Sequence, residues 1–564
     1  MVKPLLVVLC LLIAGAARGA SPAITYEIHP DLKDGALTAL AVRMTFTGDA
    51  SGRTTLLLPD TIDHGDGAKP DRTDLQVSGA TVESSDKGVE VLRAAPGAPI
   101  AVSYRIVSGY DGVPAMQPFH ALLLPTWFAV DGGRALLRVE GRGDAPATVR
   151  MAGLPAGWIW ASDFGAGGAR TMDEVNDGYL IGGSGWQELD EPMGAARLRL
   201  FYRPETKLVA PESAARLLAD IAAGDFAYWG DPPWDLFVPV IPSGSETGGH
   251  GMVHGFILQA VNGDDLTADK HTFAHEHTHS WISRQVGGFP ATQPDLEAWL
   301  NEGFTELTTA RELLKSGLWT PSDFAGDLNA ALLEYGVSPV QTAPNSRIGA
   351  DRFADFDVGK LPYLRGRMMG LIWERRLRAA TGGRVGLQDA LQAQRGLALR
   401  AKAAGQETSA DKLFPVAVRQ ASGVDLSDDL STYIDQGAAI TLPADLFGAC
   451  GTFETVTQPP FDRGFDLMAS VRNGKHLVGL EPGGPAERAG LREGNHLGID
   501  EVITHNSQLP LTYKVDQPDG TRRAITYKPE GQGTVTFQRL RLNASLDAAG
   551  EARCRRVLTG EIAP

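Results

Sequence analysis

The chain changes its hydrophobic period along its length, and that change limits its folds more than any other feature. Residues 24–203 read as short β-type runs, such as Ala41-Val42-Arg43-Met44-Thr45-Phe46-Thr47 and Thr54-Thr55-Leu56-Leu57-Leu58-Pro59. Gly/Asp clusters such as His64-Gly65-Asp66-Gly67 separate them, as turns separate strands. Residues 211–229 carry a helical pattern, 234–241 a strand, and 267–437 a series of amphipathic helices. After Cys450 short strands return around a single helix. A single all-β or all-α architecture cannot accommodate both grammars. The expected fold class is multidomain α+β. Its parts are a signal peptide over 1–19, a β-sandwich-like domain over 20–203, a mostly helical domain over 204–445, and a small α/β domain with a C-terminal tail over 446–564. A length of 564 residues suits three or four domains of about 150 residues each.

Lys+Arg total 52 against 68 Asp+Glu, a formal net charge of −16. No surplus of cations is available to displace phosphate counterions, so nucleic acid and anionic membrane surfaces are excluded as partners. The N-terminus has the three parts of an export signal: Lys3, an apolar stretch over 5–13, and small residues over 14–20. Ala17-Arg18-Gly19 places cleavage after Gly19, and Leu9 before Cys10 is too large for a lipoprotein signal. No later stretch of about 18 apolar residues follows, so no stable membrane insertion is expected after cleavage. The mature chain is expected to be exported, periplasmic or secreted. It would retain two cysteines, Cys450 and Cys554, at the ends of the last domain, and a disulfide closing that domain is expected.

The chemistry centres on His275-Glu276-His277-Thr278-His279. Helical residues four apart share a face, so His275 and His279 can present two imidazoles to one metal ion. Glu276 is rotated by about 100° from His275, where it can reach a water instead of the metal. A second helix follows through Trp299-Leu300-Asn301-Glu302-Gly303-Phe304-Thr305-Glu306, with Leu296, Trp299, Leu300, Phe304, Leu307 and Leu314 on its apolar side and Gly317 at its end. Glu302 and Glu306 lie one turn apart on one face, suited to a ligand and to a carboxylate that orients a ligand histidine. His275, His279 and Glu302 make a two-histidine, one-carboxylate set with an open position, the donor set of a catalytic Zn2+ bound one per chain.

His-Glu-x-x-His followed by a Glu-Gly-Phe-Thr helix resembles the thermolysin-like (gluzincin) zinc metallopeptidases. Trp281, Gly317-Leu318, and the 22 residues between His279 and Glu302 look most like the glycyl aminopeptidase family. The resemblance implies a β domain, a thermolysin-like catalytic domain and a C-terminal PDZ domain. Tyr363-Leu364-Arg365-Gly366 resembles the Tyr-x-Lys-Gly of that family, which gives Tyr363 the role of oxyanion donor; the Gly- and Pro-rich stretch 339–362 would form a rim. Gly248-Gly249-His250-Gly251 stands where the family has Gly-Gly-x-Glu. Gly248 and Gly249 would let a substrate backbone approach, but Gly251 replaces the carboxylate that anchors a free amine, and Glu246 lies in the preceding loop. Aminopeptidase and endopeptidase activity therefore both stay open.

The stretch 478–494, Val-Gly-Leu-Glu-Pro-Gly-Gly-Pro-Ala-Glu-Arg-Ala-Gly-Leu-Arg-Glu-Gly, resembles PDZ domains of exported bacterial proteases. Gly464 and Phe465 would then form the loop that captures a peptide's C-terminal carboxylate. The combined expectation is an exported zinc peptidase acting on peptides or proteins. Glu276 serves as general base and Tyr363 as oxyanion donor. The alternative is a non-catalytic peptide-binding scaffold.

Overall fold

A computed structural model describes residues 23–58, 71–86, 88–114, 120–165, 170–244, 247–252, 254–288, 294–352, 355–406, 408–498, 505–516 and 521–564. The expected signal peptide, Cys10 and Glu246 lie outside these residues. The chain divides into two compact units, one of residues up to 190 with 198–211 and 235–265, the other of 191–197, 212–234 and 266–564.

The first unit is built from strands. Its central hairpin joins Ile24–Lys33 to Ala36–Thr47, with Ile24, Tyr26 and Ile28 buried at every second position. That period of two is what a strand with one face on a core must show. Asp34 and Gly35 turn the hairpin with φ of 53° and 81°, the left-handed pair that a tight two-residue connection requires. A six-stranded sheet grows around this hairpin, and a four-stranded sheet containing Arg53–Leu57 and Val89–Arg93 faces it. Leu56 and Leu92 from one sheet and Tyr26, Met44 and Val102 from the other share one core, in a region that is β-rich as expected.

A four-stranded sheet from residues 122–183 and a mixed sheet complete the unit. Residues 198–201 pair in parallel with Leu236–Pro242, which pairs in parallel with Gly255–Ala260; the edge strand Gly248–Met252 runs antiparallel to the last. The expected strand at 234–241 is thus one member of a sheet whose other strands come from both sides of it in sequence. Gly255 allows that pairing, because a Cβ on it would lie 1.9 Å from the Phe237 carbonyl oxygen.

Helices dominate the second unit: α1 (Pro211–Trp229), α2 (Lys270–Ile282), α3 (Ala298–Ser316), α4 (Pro321–Val337), α5 (Asn345–Asp351), α6 (Phe356–Thr381), α7 (Leu387–Ala403) and α8 (Ala410–Ser422). Gly317 caps α3 in the left-handed conformation at φ 84°, as the sequence pattern anticipates. Helix α2 stops at Ile282, before Gly287-Gly288, because Gly288 instead pairs with the backbone of Thr408 and Ala410. A buried aromatic cluster of Trp299, Phe304, Trp373 and Phe414 joins α3, α6 and α8.

Beyond α8 the chain forms a two-stranded antiparallel ribbon, Gly451–Gln458 with Val535–Leu542, and then helix α9 (Ala548–Leu558). Two side-chain amides lock the ribbon down by bonding backbone in both directions. Asn329 of α4 accepts from the Leu540 N–H at 2.6 Å and donates to its carbonyl at 3.0 Å. Gln538 does the same to Leu442, at 2.8 Å each way. Between the ribbon strands lies a small separate core containing Phe465, Leu477, Leu497, Tyr513 and Ile525. Among the described residues no helix is long and apolar enough to cross a membrane.

Candidate active site

Helix α2 begins where Asp269 accepts a hydrogen bond from the Thr272 N–H, and it buries Phe273, His277 and Trp281 on one face. That face is fixed by polar bonds as well as by area. The Trp281 indole N–H donates to Asp231 at 2.7 Å and its ring stacks on Trp229 at 5.7 Å. His277 Nδ1 lies 2.6 Å from Asp225 Oδ2 of α1, and burial pushes this imidazole down to about 4, so it is neutral. His277 is thus a core histidine, and it orients the helix so that the next face turns toward Glu302 of α3.

On that face His275 Nε2 and His279 Nε2 lie 3.1 Å apart. Glu302 of α3 brings Oε2 to 3.4 Å from the first and 3.5 Å from the second. Donors bound to one zinc at about 2.0–2.1 Å in a tetrahedron stand about 3.3–3.4 Å apart, so the three atoms already have the spacing of three corners. This is the sole cluster of at least three His, Cys, Asp or Glu donors with metal-binding spacing among the described residues. The expected triad is therefore brought together.

The charges agree with the geometry. Burial disfavours an ionised Glu302, yet His275 and His279 hold its carboxyl well below the usual range. Burial also disfavours a charged His275, yet Glu302 and Glu306 raise it well above the ordinary imidazole value. Glu306 stands behind the cluster, with Oε1 3.1 Å from His275 Nδ1, where it can fix the ring. Its Oε2 lies 3.2 Å from His271 Nε2 and 3.6 Å from Arg367. His279 is oriented by Ser283, whose Oγ lies 2.6 Å from Nδ1 and donates to Asn301 Oδ1 at 2.6 Å.

Glu276, half-buried on α2, adds its charge to the field at both His275 and Tyr363. The Tyr363 ring of α6 stacks on His275 with centroids 6.1 Å apart and planes 19° apart. Burial, reinforced by the charge of Glu302, pushes the Tyr363 phenol well above its ordinary range, so it stays protonated and able to donate.

Other expected residues belong to other elements. Gly248 and Gly249 sit in the edge strand of the first unit, opposite Gln259 and Leu258, and Gly251 sits opposite Phe256. Phe465 is buried in the small C-terminal core, and the Gly464 N–H donates to Asp462 Oδ1 at 2.8 Å. Residues Leu467–Arg472 form a short helix, so the chain after Phe465 offers no strand there for a peptide to extend. Cys450 and Cys554 are both buried and unlinked.

Sequence reasoning missed Arg352, which reaches Glu302 from 50 residues away and follows no periodic pattern. It also missed His271 as a partner of Glu306, although the spacing of four between His271 and His275 was a usable signal.

No protein-family model matches the chain, and a search of curated proteins found no match. Solved structures do match. An aminopeptidase N family protein from Idiomarina loihiensis superposes with a TM-score of 0.64 at 17% identity, over 96% of this chain and 100% of its own. The M1 zinc metallopeptidase of Deinococcus radiodurans gives 0.50 at 18% identity, over 75% of this chain and 95% of its own. The chain therefore shares the multidomain α+β fold of these two structures, a β-rich N-terminal region followed by a helical part.

Proposed function

We propose that this chain is a zinc-dependent peptidase whose metal is held by His275, His279 and Glu302. The observation that carries the reading is the convergence of three donor atoms at 3.1, 3.4 and 3.5 Å. A zinc ion bound there would supply an acidified water and an electrophile for a carbonyl oxygen. The residues around it divide the remaining work. The Glu276 carboxylate, next to His275 but on another helical face, accepts the proton of the attacking water and returns it to the leaving amine nitrogen. The Tyr363 hydroxyl, kept protonated by its surroundings, donates to the oxygen on which negative charge develops. Glu306 and Ser283 hold the two imidazoles so that their Nε2 atoms face the metal.

The resemblance of the motifs and the fold of the structural neighbours both support an aminopeptidase-like enzyme acting on peptides. Gly251 in place of an acidic residue supports a weakened demand for a free N-terminus. The composition of residues 1–20 supports export. The motif over 478–494 supports a PDZ-like reading of the C-terminal core; because the Gly464 N–H is already engaged, we assign that core no carboxylate-binding role.

The test is metal content together with cleavage of a peptide library, with and without a chelator. One zinc per chain and products that vanish on chelation and return with zinc are expected. A chain that retains no metal and yields no product overturns the peptidase reading in favour of a binding scaffold.

A further inference from the structure

The two oxygens of Glu302 are used for different things. Oε2 faces His275 and His279, while Oε1 accepts from Arg352 Nη2 at 3.0 Å and from Asn301 Nδ2 at 3.3 Å. Arg352 directly follows α5 as its C-cap, and its other terminal nitrogen, Nη1, donates to Asp295 Oδ1 at 2.9 Å. The Arg352 side chain is 14% exposed, so water competes weakly for these bonds. A planar fork held by two carboxylates cannot swing, and Asp295 therefore fixes the direction from which Arg352 meets Glu302.

We propose that Arg352 is a positioning residue of the metal site, holding one oxygen of Glu302 so that the carboxylate serves through the other oxygen alone. The inference rests on the zinc reading above and assigns a role to a residue outside the metal-binding motif. Its consequence is a site limited to three protein donors, which keeps positions open for water and substrate. A carboxylate free at both oxygens could close on the ion with both.

Charge and positioning predict opposite signs, which makes the proposal decidable. If Arg352 were only a counter-charge to a buried carboxylate, deleting this cation beside the site would tighten zinc binding. If it positions Glu302, deletion loosens the site, by about 10- to 100-fold in affinity as is usual for groups that orient metal ligands.

The experiment uses the full chain stripped of metal and refilled, as wild type, Arg352→Gln, Arg352→Lys and Asp295→Asn. Zinc affinity is read by competition with a chromophoric chelator, and coordination by the visible spectrum of the Co2+-loaded protein. Arg352→Gln should bind zinc at least tenfold more weakly and show weaker Co2+ absorption as coordination number rises. Arg352→Lys should recover only part of both, because one ammonium cannot bridge Asp295 and Glu302 as a fork does. Asp295→Asn should move both readouts in the same direction by less, and it carries the test if Arg352→Gln does not fold. Unchanged or tighter zinc binding, or a wild-type Co2+ spectrum, would overturn the positioning role. A wild-type chain that binds neither ion would overturn the zinc reading itself, and this inference with it.

Discussion

Gly303 and Gly366 meet where α3 packs on α6. A Cβ on Gly303 would lie 2.4 Å from the Gly366 Cα, and one on Gly366 would lie 1.8 Å from the Trp299 carbonyl oxygen. Gly303 follows Glu302 directly, and Gly366 follows Tyr363 by three residues, so this backbone contact sets the distance between the proposed metal ligand and the proposed oxyanion donor. Any side chain at either position must push the helices apart.

Gly366→Ala is therefore expected to destabilise the protein by about 2–3 kcal/mol, the upper range for overpacking. It should also lower turnover more than it lowers zinc content, because Tyr363 moves with α6 while the two histidines stay on α2. Denaturant unfolding and zinc analysis on the same preparation check this. Unchanged stability and turnover would show that the helices yield without cost.

Glu276→Gln separates the base from the ligands. Glu276 is not among the three convergent donors, so the variant should keep wild-type zinc stoichiometry. An amide cannot accept a proton from water, so kcat should fall by about 10²–10⁴-fold. Turnover within tenfold of wild type in a zinc-loaded preparation would reject Glu276 as the base.

The contact of the C-terminal core with α4 should depend on pH. His505 Nδ1 lies 2.5 Å from Glu334 Oε2, and its backbone N–H donates to Oε1 at 3.0 Å. The hydrogen bond to Glu334 raises the imidazole. Burial works to raise Glu334, but His505 outweighs it and holds the carboxyl below its ordinary value. A raised imidazole stabilises fully below its unfolded value of about 6.5 and loses that contribution as pH climbs through the folded value. A depressed carboxyl stabilises above about 4.3 and loses its contribution as pH falls through the folded value. The gap in unfolding midpoint between wild type and Glu334→Gln should thus be widest between about pH 5 and 6 and shrink toward pH 9, with a maximum on the order of 1 kcal/mol. A gap independent of pH would remove the ion pair as its cause.

Cys450 and Cys554 should become a disulfide under oxidising conditions. Burial, followed by the neighbouring Cys450, pushes the Cys554 thiol up to about 12, so exchange in the folded protein should be slow. Refolding with oxidised glutathione should complete it: two exchange steps release two glutathione thiols and leave one protein disulfide, about 2 Da lighter than the dithiol. Closing a loop of about 100 residues stabilises by up to about 4–5 kcal/mol on the chain-entropy account. Two alkylatable thiols remaining after oxidative refolding would show that the pair does not close.

The parts of this protein that sequence made legible are those written in local patterns. His275, His279 and Glu302 sit at helical spacings that periodicity exposes, and the Gly317 cap ends its helix where the pattern stops. The functional glycines were visible as motif letters, but their reason, the approach of α3 to α6, exists only in the packed fold. Arg352 and Asp295 were invisible because Arg352 meets Glu302, and Asp295 meets Arg352, only through the fold, with no spacing rule to join them. The parallel pairing of the strands at 236–242 and 255–260 was not legible for the same reason: it connects distant segments, and nothing inside a strand names its partner. His277, inside the metal motif, is committed to Asp225 across 52 residues and shows that a histidine beside a site is often core.

The last prediction concerns the substrate's N-terminus. An enzyme that requires a free amine must bind an ammonium group, and desolvating an unpaired cation is costly, so a carboxylate normally meets it. In the strand Gly248–Met252, Gly251 stands where the family that the motifs resemble has that carboxylate, and a glycine contributes no charge. An acetylated peptide carries no cation at this end. Its kcat/KM should therefore lie within about tenfold of that of its free-amine twin, a gap of about 1.4 kcal/mol. Gly251→Glu should widen the gap in favour of the free amine by restoring a charge for the ammonium to meet. Preference for the free amine by several hundredfold in the unaltered enzyme would sink the idea, because a carboxylate elsewhere would then be supplying the anchor.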